Sequence, residues 1–294
     1  KQIGVSSQKL KEKNIKLNSL IFDKTIYENG PKIVVIGAGS GVDTLVKGLK
    51  TYTSNITVVA TLSDSRKVDV DLTNNQRKLQ ILPYSNIKSS IASLSNDEEI
   101  MTKVMEHTFT SEVLEGLNFG DIYLLAMQEI FGNVSTSIKK STEVLNISGE
   151  VVPVSLDTIS ICAELTDGTI VKTKEEIPKV VREKREPIQR VYIEPSNARP
   201  TPRVLEAIEE ADVIVIAPGN LYTEIIPNMI VKNIAHKIKI SNAKKIYVAN
   251  IMTDAGQTDE YNLSDHIKAM TEHLGENIFD YCLADNRKYS SRIY

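Results

Sequence analysis

The sequence predicts an α/β domain of three layers, a mostly parallel sheet between helices with a β-hairpin excursion. Three observations predict it. Short β-branched apolar runs recur at 32–36 (KIVVI), 56–62 (ITVVATL) and 213–217 (VIVIA), as strands buried on both faces require. Helix-patterned segments separate them, the alternation that builds a parallel sheet covered on both sides. The first run leads directly into Gly37-Ala38-Gly39-Ser40-Gly41 and then a helix, a strand–turn–helix unit that makes the fold Rossmann-like.

Residues 1–30 carry a thin apolar stripe through Leu10, Ile15, Leu17, Leu20, Ile21 and Phe22 and read as a short amphipathic helix or an extended arm ending near Asn29-Gly30-Pro31. A single domain spans 31–286, and 287–294 is a polar tail. Within the domain a helix follows the first turn at 42–52, and the polar stretch 63–82 reads as a long loop. Helices are expected at 86–94, 97–107, 119–131 and 134–145, the last capped by Asn133. Strands follow at 150–154, 160–165 and 169–172, with Asp167-Gly168 as a hairpin turn. The region at about 150–180 is thus an excursion from one domain, and the charged stretch 179–185 (KVVREKR) reads as a loop or a rim. The alternation resumes with strands at 191–194, 213–217, 245–249 and 279–283 and helices at 202–211, 226–238 and 264–274.

Composition excludes several function classes. The net charge of −3 over 294 residues lacks the overall basic footprint of a nucleic-acid binder. No run approaches the roughly 18 apolar residues of a membrane span, and the N-terminus lacks a signal-peptide core, so a cytoplasmic protein is expected. Cys162 and Cys282 are far apart in apolar runs and read as buried free thiols rather than a disulfide. His107, His236 and His273 have no partner at a metal-binding spacing and are expected at the surface or half-buried, and no metal site is expected. A homo-oligomer joined through the 1–30 arm is compatible with the pattern.

The chemistry concentrates at strand ends. The three glycines of 37–41 let backbone approach a ligand and aim the following helix's N–H groups at an anion; the alternative is a tight turn with no ligand. The pattern is G-x-G-x-G and lacks the lysine of a P-loop. Asp64, after the second strand, stands where a Rossmann acid meets a ribose or a metal, or is a solvated loop residue. Asp43 reads as charge compensation in the helix's first turn. After VIVIA comes a second glycine turn, Ala217-Pro218-Gly219-Asn220-Leu221-Tyr222-Thr223, where Asn220 and Thr223 are hydrogen-bonding candidates or Thr223 is a helix cap. Asn250 and Thr253 leave the next strand in the same sense. Asn118, before Phe119-Gly120-Asp121, is explained by helix capping alone.

The strings GAGSG (37–41), APGNLYTEIIPN (217–228) and NIMTDAGQTDEYNLSDHI (250–267) resemble the YvcK family of gluconeogenesis factors, which is related to CofD, the 2-phospho-L-lactate transferase. VVPVSLDTISICAELTDGTIV (151–171) and HLGENIFDY (273–281) extend the resemblance over about 32–286. It implies a Rossmann-like three-layer domain that binds a nucleotide-type metabolite, a UDP-sugar or an NAD-type dinucleotide, with a role in cell-wall morphogenesis and gluconeogenic growth. The residues it assigns to nucleotide binding are Gly37, Ala38, Gly39, Ser40, Gly41, Asp64, Gly219, Asn220, Leu221, Tyr222, Asn250 and Thr253. No catalytic residue and no metal ligand is assigned.

Departures from the family pattern are specific. Ala38 and Ser40 stand for Gly and Thr, and Ser63-Asp64-Ser65-Arg66-Lys67-Val68 lacks the family's second Asp and its glycines, which weakens any divalent-metal site. Tyr84-Ser85-Asn86-Ile87-Lys88-Ser89 replaces the family's GDIRN, and Leu117-Asn118-Phe119-Gly120-Asp121 replaces its HSFGN. The scaffold strings are kept while the site strings drift, as in a divergent member. The expected function is a non-catalytic regulator binding a nucleotide-type metabolite. The alternatives are a CofD-like metal-assisted transferase and a scaffold that has lost its ligand.

Overall fold

The structure, a computed structural model, describes residues 27–60, 68–71, 78–81, 84–111 and 114–286. The expectations for residues 1–26 of the arm, for Asp64 and for the tail fall outside these residues.

Strand β1 (Ile33–Ile36) has all four residues buried, and β2 (Ile56–Ala60) all five, because helices cover both faces of the sheet. Each such Val or Ile contributes roughly 1.5–3 kcal/mol on burial. Side-chain alternation divides the core in two. Ile33 and Val35 face one layer with Val42 and Val46 of α1 (Ser40–Leu49), whereas Val34 and Ile36 face the other. The first layer is completed by α2 (Ser85–Leu94), α3 (Glu98–Met105), α4 (Phe119–Phe131) and α5 (Val134–Val144).

The sheet's third strand in chain order is β5 (Glu150–Pro153), an edge strand beside β2. The chain then makes a three-stranded antiparallel sheet from β6 (Ser160–Leu165), β7 (Ile170–Lys172) and β8 (Ile188–Glu194), with α6 (Ile177–Lys184) between the last two. The Asp167-Gly168 turn closes its hairpin as predicted: Leu165 N–H donates to Thr169 O at 2.9 Å, and Asp167 accepts from Thr169 N–H at 2.8 Å. Helix α7 (Pro202–Glu210) returns the chain to β9 (Val213–Ile216), which pairs with β1 on the side opposite β2. A π-helical turn (Leu221–Ile225) continues into the short α8 (Ile226–Met229), and α9 (Ile234–Ile240) follows. Then come β10 (Lys244–Val248), α10 (Leu263–Leu274) and β11 (Tyr281–Leu283).

All pairings within the six-stranded sheet are parallel, in the order β11-β10-β9-β1-β2-β5. Numbered by their occurrence in this sheet, the strands run 3-2-1-4-5-6, the doubly wound order whose topological switch point lies between the first and fourth strands. Here those are β1 and β9, the two strands that end in glycine turns. Among the described residues no helix is long and apolar enough to cross a membrane.

Three sequence expectations are corrected. Within 63–82 the structure has an antiparallel ribbon, β3 (Val68–Asp71) with β4 (Lys78–Ile81), because VDVD and KLQI alternate polar and apolar residues with the strand period. The charged 179–185 stretch lies mostly in α6, whose Ile177 and Val181 recur four residues apart and are buried beneath a charged outer face. The single helix expected over 226–238 is interrupted at 230–233, where Asn233 takes a left-handed φ of 67°. Asn133 caps α5 as expected, its side chain accepting from Thr136 N–H at 2.8 Å. Cys162 and Cys282 are free, but only Cys162 is buried; Cys282, on the edge strand β11, is half-buried, which corrects that expectation.

Candidate functional site

The two glycine turns meet at the switch point. Gly39 is the N-cap of α1 and holds φ 75°, a conformation that L side chains rarely adopt; its carbonyl accepts from Val42 N–H at 3.1 Å and Asp43 N–H at 3.3 Å. Two residues on, a Cβ placed on Gly41 would lie 2.0 Å from the Pro218 carbonyl oxygen. Only glycine lets the first turn of α1 lie directly against the turn after β9. Ser40 is exposed at this junction and Ala38 is buried beneath it.

The second turn is held by the third strand end. Gly219 N–H donates to Asn250 Oδ1 at 2.8 Å, and Asn250 Nδ2 donates back to Gly219 O at 2.8 Å. The same Nδ2 lies 3.0 Å from Asp254 Oδ2. Asn250 therefore positions Gly219 from β10, with its donor and acceptor both engaged. The loop beyond is fixed in turn, with Asp254 N–H donating to the buried Thr258 hydroxyl at 2.8 Å. It also packs under α6, since a Cβ on Gly256 would lie 2.3 Å from Pro178 O.

The structure separates the predicted residues by role. Leu221 and Tyr222 are buried, and the Tyr222 hydroxyl is 2.9 Å from that of Tyr261, so their side chains belong to the core. Burial pushes the Tyr222 hydroxyl far up from its ordinary value. Thr223 is buried and donates to Gln257 Oε1 at 3.1 Å; it caps no helix, which corrects that alternative. Asn220 supplies backbone, its carbonyl accepting from Glu224 N–H at 2.8 Å. Thr253 is exposed at the mouth, on the segment that also exposes Ile251 and Met252. Asp43 faces away from the crevice into the helical layer, accepting from Ser89 Oγ at 2.5 Å, and its carboxyl is raised chiefly by burial. Asn118 is a cap, as expected, and also accepts from Lys88 Nζ at 2.9 Å.

One residue between the turns was not singled out by the sequence pattern. Glu224 Oε2 accepts from Asn220 N–H at 3.2 Å. The same oxygen lies 3.1 Å from a Cβ built on Gly39 and 3.3 Å from one on Gly219. Burial raises its carboxyl, opposed by the Asn220 N–H and by Lys174 and reinforced by Asp254. A signal for it exists: Glu224 is the one charged residue in the run LYTEIIPNMI.

A cavity of about 1000 Å³ lies elsewhere, at the amino edge of the sheet among Asn55, Glu150, Arg203 and Glu210. Its charges already satisfy one another: Arg203 pairs with Glu150, and Lys32 Nζ is 3.2 Å from Glu210. Open α/β sheets bind ligands at the carboxyl edge, where the paired glycine turns lie. Among the described residues no group of three His, Cys, Asp or Glu is placed to hold a metal ion.

A doubly wound sheet with two glycine turns closing over its switch point defines a Rossmann-like protein with a carboxyl-edge crevice. The profile of the CofD family, described as 2-phospho-L-lactate transferase CofD, matches residues 33–294. The gluconeogenesis factor of Halalkalibacterium halodurans is 36% identical over 262 residues, 89% of this chain and 79% of its own. A relative from Clostridium acetobutylicum is 39% identical over 278 residues, 95% of this chain, and the match spans 61% of that relative's length. A crystal structure of a UPF0052 family member from Bacillus halodurans is similar with a TM-score of 0.79 at 36% identity, covering 89% of this chain and 82% of that one. The chain belongs to the CofD family, in its gluconeogenesis-factor group.

Proposed function

We propose that this chain binds a nucleotide-type metabolite, a UDP-sugar or an NAD-type dinucleotide, in the crevice between the turns after β1 and β9, and acts as a non-catalytic regulator. The observation that carries this reading is the contact of Gly41 with Pro218, which brings the N-terminal turn of α1 and a second glycine turn together at the switch point. A diphosphate suits the N–H groups and positive end of α1, and Ser40 adds an exposed hydroxyl beside them. The regulatory role follows the naming of the relatives as gluconeogenesis factors, and a link to cell-wall morphogenesis belongs to the same proposal.

Thermal unfolding with UDP-glucose, UDP-N-acetylglucosamine, NAD and FAD tests the reading, because a ligand that binds only the native state raises the midpoint by mass action. At one hundred times Kd the gain is about 2.7 kcal/mol. A rise with one compound class supports it. No rise with any of them at millimolar concentration contradicts it and favours a scaffold without a ligand. The match to a transferase family supports a second reading, a metal-assisted transferase, for which divalent-ion-dependent turnover of a nucleoside diphosphate compound is the diagnostic result.

A further inference from the structure

Glu224 stands between the two glycine turns. In the π-helical turn Leu221–Ile225, the side chains of Leu221, Tyr222, Thr223 and Ile225 are buried. Glu224 alone of the five is partly exposed, and its carboxylate lies against both glycine turns. π-Helical turns recur at functional sites because the extra residue re-aims one side chain. Here the turn aims an acid into the gap that the two glycines leave open.

The charge of that acid decides what can enter the gap. Among the described residues Glu224 makes no ion pair; Asn220 satisfies it, the backbone N–H donating to Oε2 at 3.2 Å and the side chain contributing a further hydrogen bond. Asp254 adds a second negative charge from the loop after β10, and Lys174 acts on the acid from the excursion. A phosphate brought between Gly39 and Gly219 meets this carboxylate at close range, with like charges in a partly desolvated site. A sugar hydroxyl meets an acceptor with lone pairs to spare, and a hydrogen bond to a charged acceptor is stronger than one to a neutral group.

We propose that Glu224 is a specificity-determining residue of the crevice: it accepts hydroxyl groups of the ligand's sugar between Gly39 and Gly219 and excludes phosphate from that position, leaving the phosphates to the N-terminal turn of α1. The inference rests on the nucleotide-metabolite reading and adds the orientation of the ligand to it.

Titration calorimetry of the chain and its E224Q and E224A variants, with UDP-glucose and with inorganic pyrophosphate, tests the assignment. E224A is expected to weaken UDP-glucose binding at least tenfold, and E224Q, which keeps a carbonyl acceptor, by less. Both variants are expected to bind pyrophosphate at least tenfold more tightly than the parent chain. Near-isosteric E224Q guards against a folding artefact, and circular dichroism of each variant checks it. UDP-glucose binding that is unchanged or tighter in E224A overturns the assignment alone, as does a variant that weakens both probes alike. A parent chain that binds neither UDP-sugars nor NAD overturns the nucleotide reading and this assignment together, whereas one that binds NAD but no UDP-sugar overturns this assignment alone.

Discussion

The carboxamide of Asn250 grips both backbone polar groups of Gly219, accepting from its N–H and donating to its carbonyl at 2.8 Å each. This double bond pattern ties the turn after β9 to the end of β10 and sets where Gly219 faces the first glycine turn. N250A leaves both groups without these partners in a half-buried place, which destabilises the fold by about 1–3 kcal/mol. N250D keeps an acceptor for the N–H, loses the donor to the carbonyl and sets a carboxylate beside Asp254; its loss is expected to be the larger. Urea unfolding of the two variants checks the order.

Gly41 makes the closest approach in the crevice. G41A drives a methyl group into the Pro218 carbonyl, so the two turns must separate. Overpacking of this kind costs about 1–3 kcal/mol. The expected outcome is a folded protein with lower thermal stability and UDP-sugar affinity reduced more than tenfold. Wild-type affinity in G41A contradicts a crevice shaped by that contact.

The protonation of Glu224 makes stability depend on pH. Burial raises its folded-state carboxyl above the ordinary glutamate value of 4.5, with Asp254 adding to the rise and Lys174 and the Asn220 N–H opposing it. The folded state therefore holds this proton more tightly than the unfolded chain. Its contribution is full below pH 4.5 and is lost as pH rises through the raised value. E224Q removes the charged form, so the variant is expected to melt higher than the parent at pH 7.5, on the order of 2 °C. The difference narrows toward pH 4.5, and a melting series across that range reads it.

A control lies in the helical layer. Asn133 caps α5 through the Thr136 N–H at 2.8 Å, away from both turns. N133A is expected to destabilise by about 1 kcal/mol and to leave UDP-sugar binding unchanged. Denaturant unfolding and calorimetry on the same sample separate the two effects.

The sequence revealed the strands buried on both faces best, because KIVVI, ITVVA and VIVI are apolar throughout and bounded by turn residues. Their order does not follow from local pattern. That the turns after β1 and β9 are neighbours depends on β9 pairing with β1 across a long crossover. Charge disguised α6, whose buried Ile177 and Val181 are set among acidic and basic residues. At the site, backbone positions such as Gly39 and Gly41 were legible because glycine is required there. Leu221 and Tyr222 were misleading, since the same string that shapes the turn also fills the core. Glu224 was legible only as a lone acid among apolar residues. Its position between the turns is a property of the π-helical turn.

Hydrogen exchange of the chain with and without saturating UDP-glucose tests the central claim most directly, because protection maps the binding edge segment by segment. Binding at the switch point is expected to slow exchange in 37–43, 218–225 and 250–254 together. It should leave the amino-edge cavity around Asn55, Glu150 and Arg203 unchanged. Protection confined to that amino-edge cavity, with the glycine turns exchanging as in the free protein, contradicts the account.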